Sequence, residues 1–242
     1  MKLESNSKVG GVYDSFHPGL NIYCVIFLFE KRKIKVLLNK TVKNNHFHLL
    51  EGCKHLQENI HKSAYRIFNL VTDISDTNLF PFNINDETVN EKHNPVSDRI
   101  IPVSIGYYAL INYNQLNNIK IDYEKMNWYD IHNLPSLKDG QIAIIRSAIH
   151  SLRLKLSISP LVYKLLPPRF AISELRLIYE ILFGKKLDRR NFQRKMINTG
   201  FIIKLSEEKV DVGLRNAFLF TFDTKKCDKV INDNEVYSFY QS

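Results

Sequence analysis

Two short helical segments joined by a basic turn constrain the fold of this chain more than any other feature of its sequence. The first helix is predicted over Glu174–Phe183, with Ser173 as its N-cap and Gly184 in the left-handed conformation that commonly ends helices. After the turn, Asp188 is expected to cap a second helix, Arg189–Asn198. Two helices in this arrangement are typical of a helix-turn-helix.

The second helix is expected to be buried on one side and cationic on the other. Phe192, Met196 and Ile197 are predicted to face the core, and Gly200 to close the helix. The segment Gly184–Lys195 holds six Lys or Arg residues and one acid. Basic side chains bind phosphates with release of condensed counterions, and Arg or Gln near the start of such a helix can contact base edges.

Two strands are predicted after the helix pair. They cover Phe201–Leu205 and Phe218–Asp223, and the mostly polar segment Ser206–Ala217 separates them. This hairpin would form the wing of a winged helix-turn-helix. The predicted DNA-binding residues are Lys185, Lys186, Arg189, Arg190, Asn191, Gln193, Arg194, Lys195 and Arg215.

The net charge of the chain is concentrated in the same region. Residues 1–150 carry 17 basic and 15 acidic residues, a net charge of +2, whereas residues 151–242 carry 17 and 10, a net charge of +7. This asymmetry favours a polyanionic partner for the C-terminal part. A cationic but merely solvated helix face is the alternative explanation.

The cysteines and the apolar segments exclude several classes of protein. Cys24, Cys53 and Cys227 lie far apart and form no CxxC pair, so neither a disulfide framework nor a structural zinc site is predicted. The longest apolar runs are too short to cross a bilayer, and the first residues lack the apolar core of a signal peptide. A cytoplasmic protein is expected, associated with the nucleoid when bound to DNA.

The first two thirds of the chain show mixed α and β patterns, which predict an α+β or α/β domain. A strand at Asn21–Phe29 is expected to form a hairpin with Ile34–Leu38. The remaining predicted segments are a helix at Leu56–Val71, an exposed loop at Asn83–Asp98, a strand at Arg99–Ile111 and a helix at Gln141–Leu156. Pro167 and Pro168 mark a break before the helix pair.

The C-terminal strings ISELRLIYEILFGKKLDRRNFQRKMINTGFI and VGLRNAFLFTF resemble the winged helix of the Nudix-related transcriptional regulators, including Gly213 and Arg215 of the wing. VYDSFHPGLNIYCVIFLFEKRKIKVLL, GYYALI and MNWYDIHNLPSL are similar to the Nudix-like domain of that family. The resemblance spans Val12–Asp223. It implies an α+β chain with a Nudix-like α/β/α sandwich at 12–157 and a winged helix-turn-helix at 158–225.

The catalytic motif of the Nudix enzymes is only partly present. Gly52, Glu58 and Arg66 keep its spacing, but the positions of the catalytic helix glutamates hold Ile67, Leu70 and Val71, and Asp73 replaces the closing glycine. Those glutamates bind the divalent cations that activate water, and aliphatic side chains offer no oxygen ligand. No enzyme activity, cofactor or metal site is therefore predicted. Gly52 could serve a turn, and Glu58 and Arg66 could face water or pair with nearer neighbours.

The resemblance implies a homodimeric, one-component transcriptional regulator that binds double-stranded operator DNA and a small effector. Its family senses nucleotide sugars such as ADP-ribose, or sugars such as arabinose. The loss of the metal-binding glutamates favours a sugar or sugar phosphate here. The candidate effector-binding residues are His46, His48, Glu58 and Arg66.

Two rival functions remain open at this level. The first is an atypical Nudix hydrolase that acts on a nucleoside diphosphate derivative and binds its metal through His46, His48 and Glu58. The two histidines alternate on a predicted strand, but no third ligand follows at a suitable spacing. The second is a protein-interaction module whose basic helix pair docks an acidic partner.

Overall fold

The structure is a computed structural model that describes residues 16–40, 46–74, 77–84, 103–120, 122, 124–138, 140–211 and 214–232, with side chains described outside 16–19 and 207–217. The first part of the chain contains seven strands and two α-helices, plus a 3-10 turn at Tyr113–Asn118. The elements are β1 (Phe16–Glu30), β2 (Lys33–Lys40), β3 (Phe47–His48), β4 (Leu50–His55), α1 (Ile60–Asn69), β5 (Phe80–Asn83), β6 (Val103–Ile111), β7 (Met126–Asp130) and α2 (Gln141–Ile158).

The seven strands form one mixed sheet between two helical layers. Its order is β3-β2-β1-β6-β5, with β4 paired to β1 and β7 to β2, and β1 runs parallel to β6. Alternate side chains of β1 pack in the two apolar cores on opposite faces of the sheet, because successive side chains of a strand point to opposite faces. Ile22 packs with α1, and Val25 packs with α2. These three layers confirm the predicted α/β/α sandwich.

The predicted first hairpin is also confirmed. β1 pairs antiparallel with β2, and Glu30 lies opposite Lys33. The two residues of its turn, Lys31 and Arg32, adopt positive φ angles of 50° and 63°. Such φ values suit the twist of a two-residue hairpin, although they are uncommon for residues other than Gly and Asn.

The predicted helix at Leu56–Val71 is shorter than expected. Asn59 caps α1 by accepting a 2.8 Å hydrogen bond from the Lys62 N–H, so the helix begins at Ile60. Leu56 precedes this cap and is 51% exposed. The helix predicted at Gln141–Leu156 corresponds to α2. Most of the predicted loop Asn83–Asp98 and the first residues of the strand predicted at Arg99–Ile111 lie outside the described residues.

The C-terminal part contains two helices that form the predicted helix-turn-helix, followed by a hairpin and a further helix. After a 3-10 turn at Leu161–Leu165 come β8 (Phe170–Ala171), α3 (Ile172–Phe183), α4 (Arg189–Asn198), β9 (Ile202–Asp211), β10 (Leu214–Phe222) and α5 (Thr224–Asn232). A second sheet has the order β8-β10-β9. This arrangement confirms the predicted winged helix.

Three details of this region differ from the prediction. Ser173 lies inside α3, whose N-cap is Ala171; the Ala171 N–H donates to the Glu174 carboxylate at 2.8 Å. The segment Ser206–Ala217, predicted as a polar connection, largely continues the two wing strands, because a two-stranded ribbon pairs its backbone whatever its side chains. β8 and α5 were not predicted.

The two parts of the chain share apolar packing. One continuous cluster extends from the α2 face of the large sheet to α3, α4 and α5. Arg153 of α2 also donates to the Leu182 carbonyl in the last turn of α3. The predicted division at 12–157 and 158–225 stays a prediction. No helix within the described ranges has both the length and the apolar character needed to cross a membrane.

Candidate nucleic-acid interface

The helix α4 has one buried edge and a cationic outer face. Asp188 caps it by accepting from the Asn191 N–H at 2.8 Å. Phe192 and Met196 are 8% and 6% exposed, and the Phe192 ring lies edge-on to Tyr179 of α3, with 5.6 Å between their centroids. This packing fixes which side of α4 faces solvent.

The predicted DNA-binding side chains lie on or beside that outer face. Gln193 and Lys195 are half-buried at its edges, and Arg194 donates to the Asn191 side-chain oxygen at 3.3 Å. The exposed members of the set are Lys185, Lys186, Arg189, Arg190, Asn191 and Arg194. Five of these six residues are basic, so positive charge is accessible to phosphates along the turn and α4.

Ile197 was predicted to face the core, but 43% of it is exposed. Among the described side chains, α4 buries Phe192 and Met196, and Ile197 lies about 100° around the helix from Met196. An apolar residue at the border of such a stripe is accessible to solvent.

A clamp that the sequence did not predict holds the turn between α3 and α4. The Leu187 N–H donates to the Glu180 carboxylate at 2.8 Å, and the Leu187 carbonyl accepts from Arg176 at 2.9 Å. Arg176 and Glu180 are themselves 3.5 Å apart. Their spacing of four residues on a predicted helix was the available signal. The clamp restricts the angle between the two helices.

The wing contributes a further exposed cation. The Lys204 ammonium lies 3.4 Å from the centroid of the Phe218 ring, which joins β9 to β10 by a cation–π contact. Lys204 was absent from the predicted DNA-binding set. Arg215 belongs to β10, but its side chain lies outside the described residues, and so does the whole of Gly213.

The remnants of the Nudix motif form a structural contact between β4 and the start of α1. Arg66 donates from Nε to both carboxylate oxygens of Glu58, at 3.1 and 3.0 Å, and from a terminal nitrogen to the Cys53 carbonyl at 2.9 Å. The Ser63 hydroxyl donates to Glu58 at 2.6 Å. The pKa of Glu58 is lowered, chiefly by the bond from Ser63 and further by Arg66, while desolvation opposes the shift.

The suggestion that Gly52 serves a turn is wrong, and Glu58 lies before α1 although the predicted helix Leu56–Val71 included it. Gly52 lies within β4, where a Cβ atom would approach the Ile67 side chain to 3.0 Å. Glu58 precedes α1 and pairs directly with Arg66. The glycine therefore allows α1 to pack closely on the sheet.

The positions of the missing glutamates have no ligand oxygen. Ile67 and Val71 are buried in the α1 core, and Leu70 is 64% exposed. No group of three or more His, Cys, Asp or Glu residues suited to a metal ion occurs in the described part of the chain. His48 lies on β3, with Nδ1 3.0 Å from the Leu49 carbonyl, and exposed His46 precedes that strand. Only His48 belongs to the strand on which both were predicted.

Comparison with known proteins supports both halves of this description. Residues 162–222 match the family model described as the NrtR DNA-binding winged helix domain. Over 128 residues the chain is 29% identical to the ADPR responsive transcriptional repressor NtrR of Acinetobacter baylyi. That match covers 52% of this chain and 51% of the relative, so the chain spans about half the length of this curated protein.

Two solved structures share the fold over most of the chain. NrtR of Shewanella oneidensis complexed with a 27mer DNA superposes with a TM-score of 0.68 at 19% identity, covering 86% of this chain and 95% of that one. A MutT/nudix family protein from Enterococcus faecalis gives a TM-score of 0.59 at 21% identity, covering 86% and 88%. The predicted combination of a Nudix-like domain and a winged helix is therefore confirmed.

Proposed function

We propose that this chain, which has the architecture of the Nudix-related transcriptional regulators, is a DNA-binding transcriptional repressor that responds to a nucleotide sugar. The observation that carries the DNA-binding half is the exposed cationic face of α4, mounted on a clamped helix pair. The match of residues 162–222 to a DNA-binding winged helix supports it.

In this proposal a homodimer places two α4 helices in successive major grooves of operator DNA. Arg189, Arg190, Gln193 and Arg194 contact base edges or nearby phosphates. Lysine and arginine side chains flanking them neutralise the backbone, which makes binding salt-dependent. These flanking and supporting contacts come from Lys185, Lys186, Asn191, Lys195 and Arg215.

We propose ADP-ribose as the effector, because the curated relative is described as ADPR responsive. This choice replaces the sugar or sugar phosphate favoured by the sequence. The aliphatic side chains of Ile67, Leu70 and Val71 favour binding without a metal cage and without hydrolysis. His46 and His48 remain candidates for contact with the ligand, whereas the paired Glu58 and Arg66 would shape the site by holding α1 on β4.

DNA binding is tested with a duplex selected from a random library by the wild-type protein. The double variant Arg190→Ala, Arg194→Ala is expected to weaken binding at least tenfold in fluorescence anisotropy. It should also reduce the slope of log affinity against log salt, by about 0.9 for each of the two side chains that contacts a phosphate. The matched control is Lys62→Ala, Arg146→Ala, which removes two exposed charges from α1 and α2. Unchanged affinity of the first variant would refute the assignment of α4.

The effector is tested by calorimetric titration of ADP-ribose in the presence of EDTA, with ribose 5-phosphate and arabinose as comparators. We expect binding of ADP-ribose and release of the selected duplex, as differential affinity for the two states requires. Binding of arabinose alone would overturn the choice of effector. Release of AMP from ADP-ribose when Mg²⁺ is added would instead support the hydrolase.

A further inference from the structure

A cavity of about 200 Å³ lies where the two parts of the chain meet. We call it the junction cavity. The end of β6 and the 3-10 turn after it form one wall, and the segment 161–168 with the β10–α5 junction forms the other. Its lining residues include Thr77, Asn112, Gln115, Tyr163, Lys164 and Phe222. None of them belongs to the Nudix motif or to the cationic face of α4.

The lining combines an apolar body with hydrogen-bond donors. Leu110, Leu166 and the rings of Tyr163 and Phe222, 6.1 Å apart between centroids, supply apolar surface. Lys164, whose ammonium lies 4.9 Å from the centroid of the Tyr163 ring, brings a positive charge. Asp228, which accepts from the Tyr163 hydroxyl, lies outside the described lining. Such walls suit a molecule with a flat apolar part and an anionic acceptor group.

The amide side chains at the cavity are oriented as donors. The Asn112 oxygen accepts from the Asn114 N–H, and the Gln115 oxygen accepts from the Asn112 N–H, each at 3.0 Å. The amide oxygens are thus engaged within the turn, which leaves the two NH₂ groups to donate elsewhere. Acceptor atoms of a ligand in the cavity would receive hydrogen bonds from these NH₂ groups.

The volume limits the size of the ligand. A cavity of about 150 Å³ lined by apolar residues holds benzene. The junction cavity is larger by about the volume that one small substituent needs. We propose that it binds a small aromatic carboxylate, a single ring bearing one acidic group, with the ring against Tyr163 and Phe222 and the carboxylate toward Lys164.

Contacts through α5 connect the lining of the cavity to the end of α4, the proposed DNA-binding helix. Phe222 ends β10, and Thr224, which also lines the cavity, begins α5. Within α5, Asp228 accepts from the Tyr163 hydroxyl, and Lys226 donates to the Gly200 carbonyl beyond the end of α4. A ligand in the cavity therefore contacts the element that holds α4. None of the residues proposed for the ADP-ribose site is among the described lining residues of this cavity.

The test uses benzoate as the probe, with benzamide as its neutral analogue, on the full chain. We expect 10 mM benzoate to raise the Tm by about 3 °C, as about 1 mM affinity would produce, and benzamide to raise it by less than 1 °C. Lys164→Met is expected to weaken benzoate binding at least tenfold in calorimetry. The matched control Lys62→Met removes an exposed lysine of α1 and should bind benzoate like the wild type.

The proposal is overturned if benzoate fails to bind the wild type, or if benzamide binds equally well. Equal loss in Lys164→Met and Lys62→Met would also overturn it, because net charge alone would then explain the effect. Thr224→Trp, which adds bulk at an exposed lining position, should block benzoate while leaving the far-ultraviolet spectrum unchanged. These measurements contain no DNA and no ADP-ribose, so their outcome is independent of the proposed repressor function.

Discussion

The ammonium group of Lys226 lies 3.1 Å from the carbonyl oxygen of Gly200 and 3.5 Å from that of Thr199. These carbonyls follow the last turn of α4, where unpaired acceptors and the helix dipole concentrate negative charge. Lys226 also lies 4.9 Å from the centre of the Phe201 ring. The helix α5 therefore holds the end of the helix that carries the cationic face.

Replacing Lys226 by Met is expected to lower the free energy of unfolding by about 1 kcal/mol, because the last carbonyls of α4 lose a charged donor. The same change should weaken binding of the selected duplex, since α4 becomes less firmly positioned. Urea denaturation and fluorescence anisotropy measure the two effects. Lys229→Met, an exposed lysine of the same helix, is the control. Equal effects of the two variants would contradict a specific role for Lys226.

Gly106→Ala is expected to destabilise the large sheet by about 2–3 kcal/mol, as overpacking of a buried site does. Gly106 of β6 lies opposite Phe82 of β5, and a Cβ atom there would meet the Phe82 ring at 2.2 Å. The urea midpoint of the variant measures the loss. Adding Phe82→Leu, which shortens the opposing side chain, should recover part of it. A Gly106→Ala protein as stable as the wild type would show that the ring moves freely.

Apolar periodicity and capping residues predicted the helices that pack on a core. The Asp188 cap and the burial of Phe192 and Met196 follow from local spacing alone. Ile197 was misplaced because its exposure depends on how far α3 and the wing extend around α4. The helix α5 had a signal in the spacing of Cys227, Val230 and Ile231, all of which are buried.

The pairing of Glu58 with Arg66 was not predicted in the same way. Glu58 meets Arg66 because the segment after β4 turns back along α1, and the Nudix spacing of the two residues does not by itself specify that contact. The junction cavity likewise depends on how two separately predicted parts pack together. Its lining residues, such as Thr77 and Lys164, are far apart in the chain.

The contact between Glu58 and Arg66 predicts a dependence of stability on pH. Because the pKa of Glu58 is lower in the folded protein than its ordinary value of 4.5, its contribution is fully present above pH 4.5. It is lost as the pH falls through the folded-state value. Glu58→Gln should therefore be less stable than the wild type at pH 7, by about 1 kcal/mol or less, and should lose less stability between pH 6 and pH 3.

Urea denaturation at several pH values measures this difference. Asp73→Asn, which removes a carboxylate from an exposed pair with Lys120, should keep the wild-type dependence in this range. A Glu58→Gln variant with the wild-type profile would mean that Glu58 does not contribute to acid sensitivity.

The three cysteines are expected to differ in reactivity. Cys24 and Cys227 are 1% and 0% exposed, and burial raises the pKa of each thiol to about 12. Low accessibility and a low thiolate fraction therefore both protect these two cysteines from alkylation. Cys53 is half-buried on β4. Iodoacetamide at pH 8 should label Cys53 in the native protein and all three cysteines in urea, as counted by intact mass. Native labelling that persists in Cys53→Ser would contradict this order.

The apolar cluster that joins the large sheet to the winged helix has a thermodynamic consequence. Val25 of β1 and Ile231 of α5 belong to the same cluster, and the 3-10 turn at Leu161–Leu165 contacts both β1 and α5. Separating the two parts would expose apolar surface of both to water, and the unfavourable free energy would grow with the exposed area. The two parts of the chain are therefore expected to unfold as a single cooperative unit, in which loosening either part lowers the stability of the other.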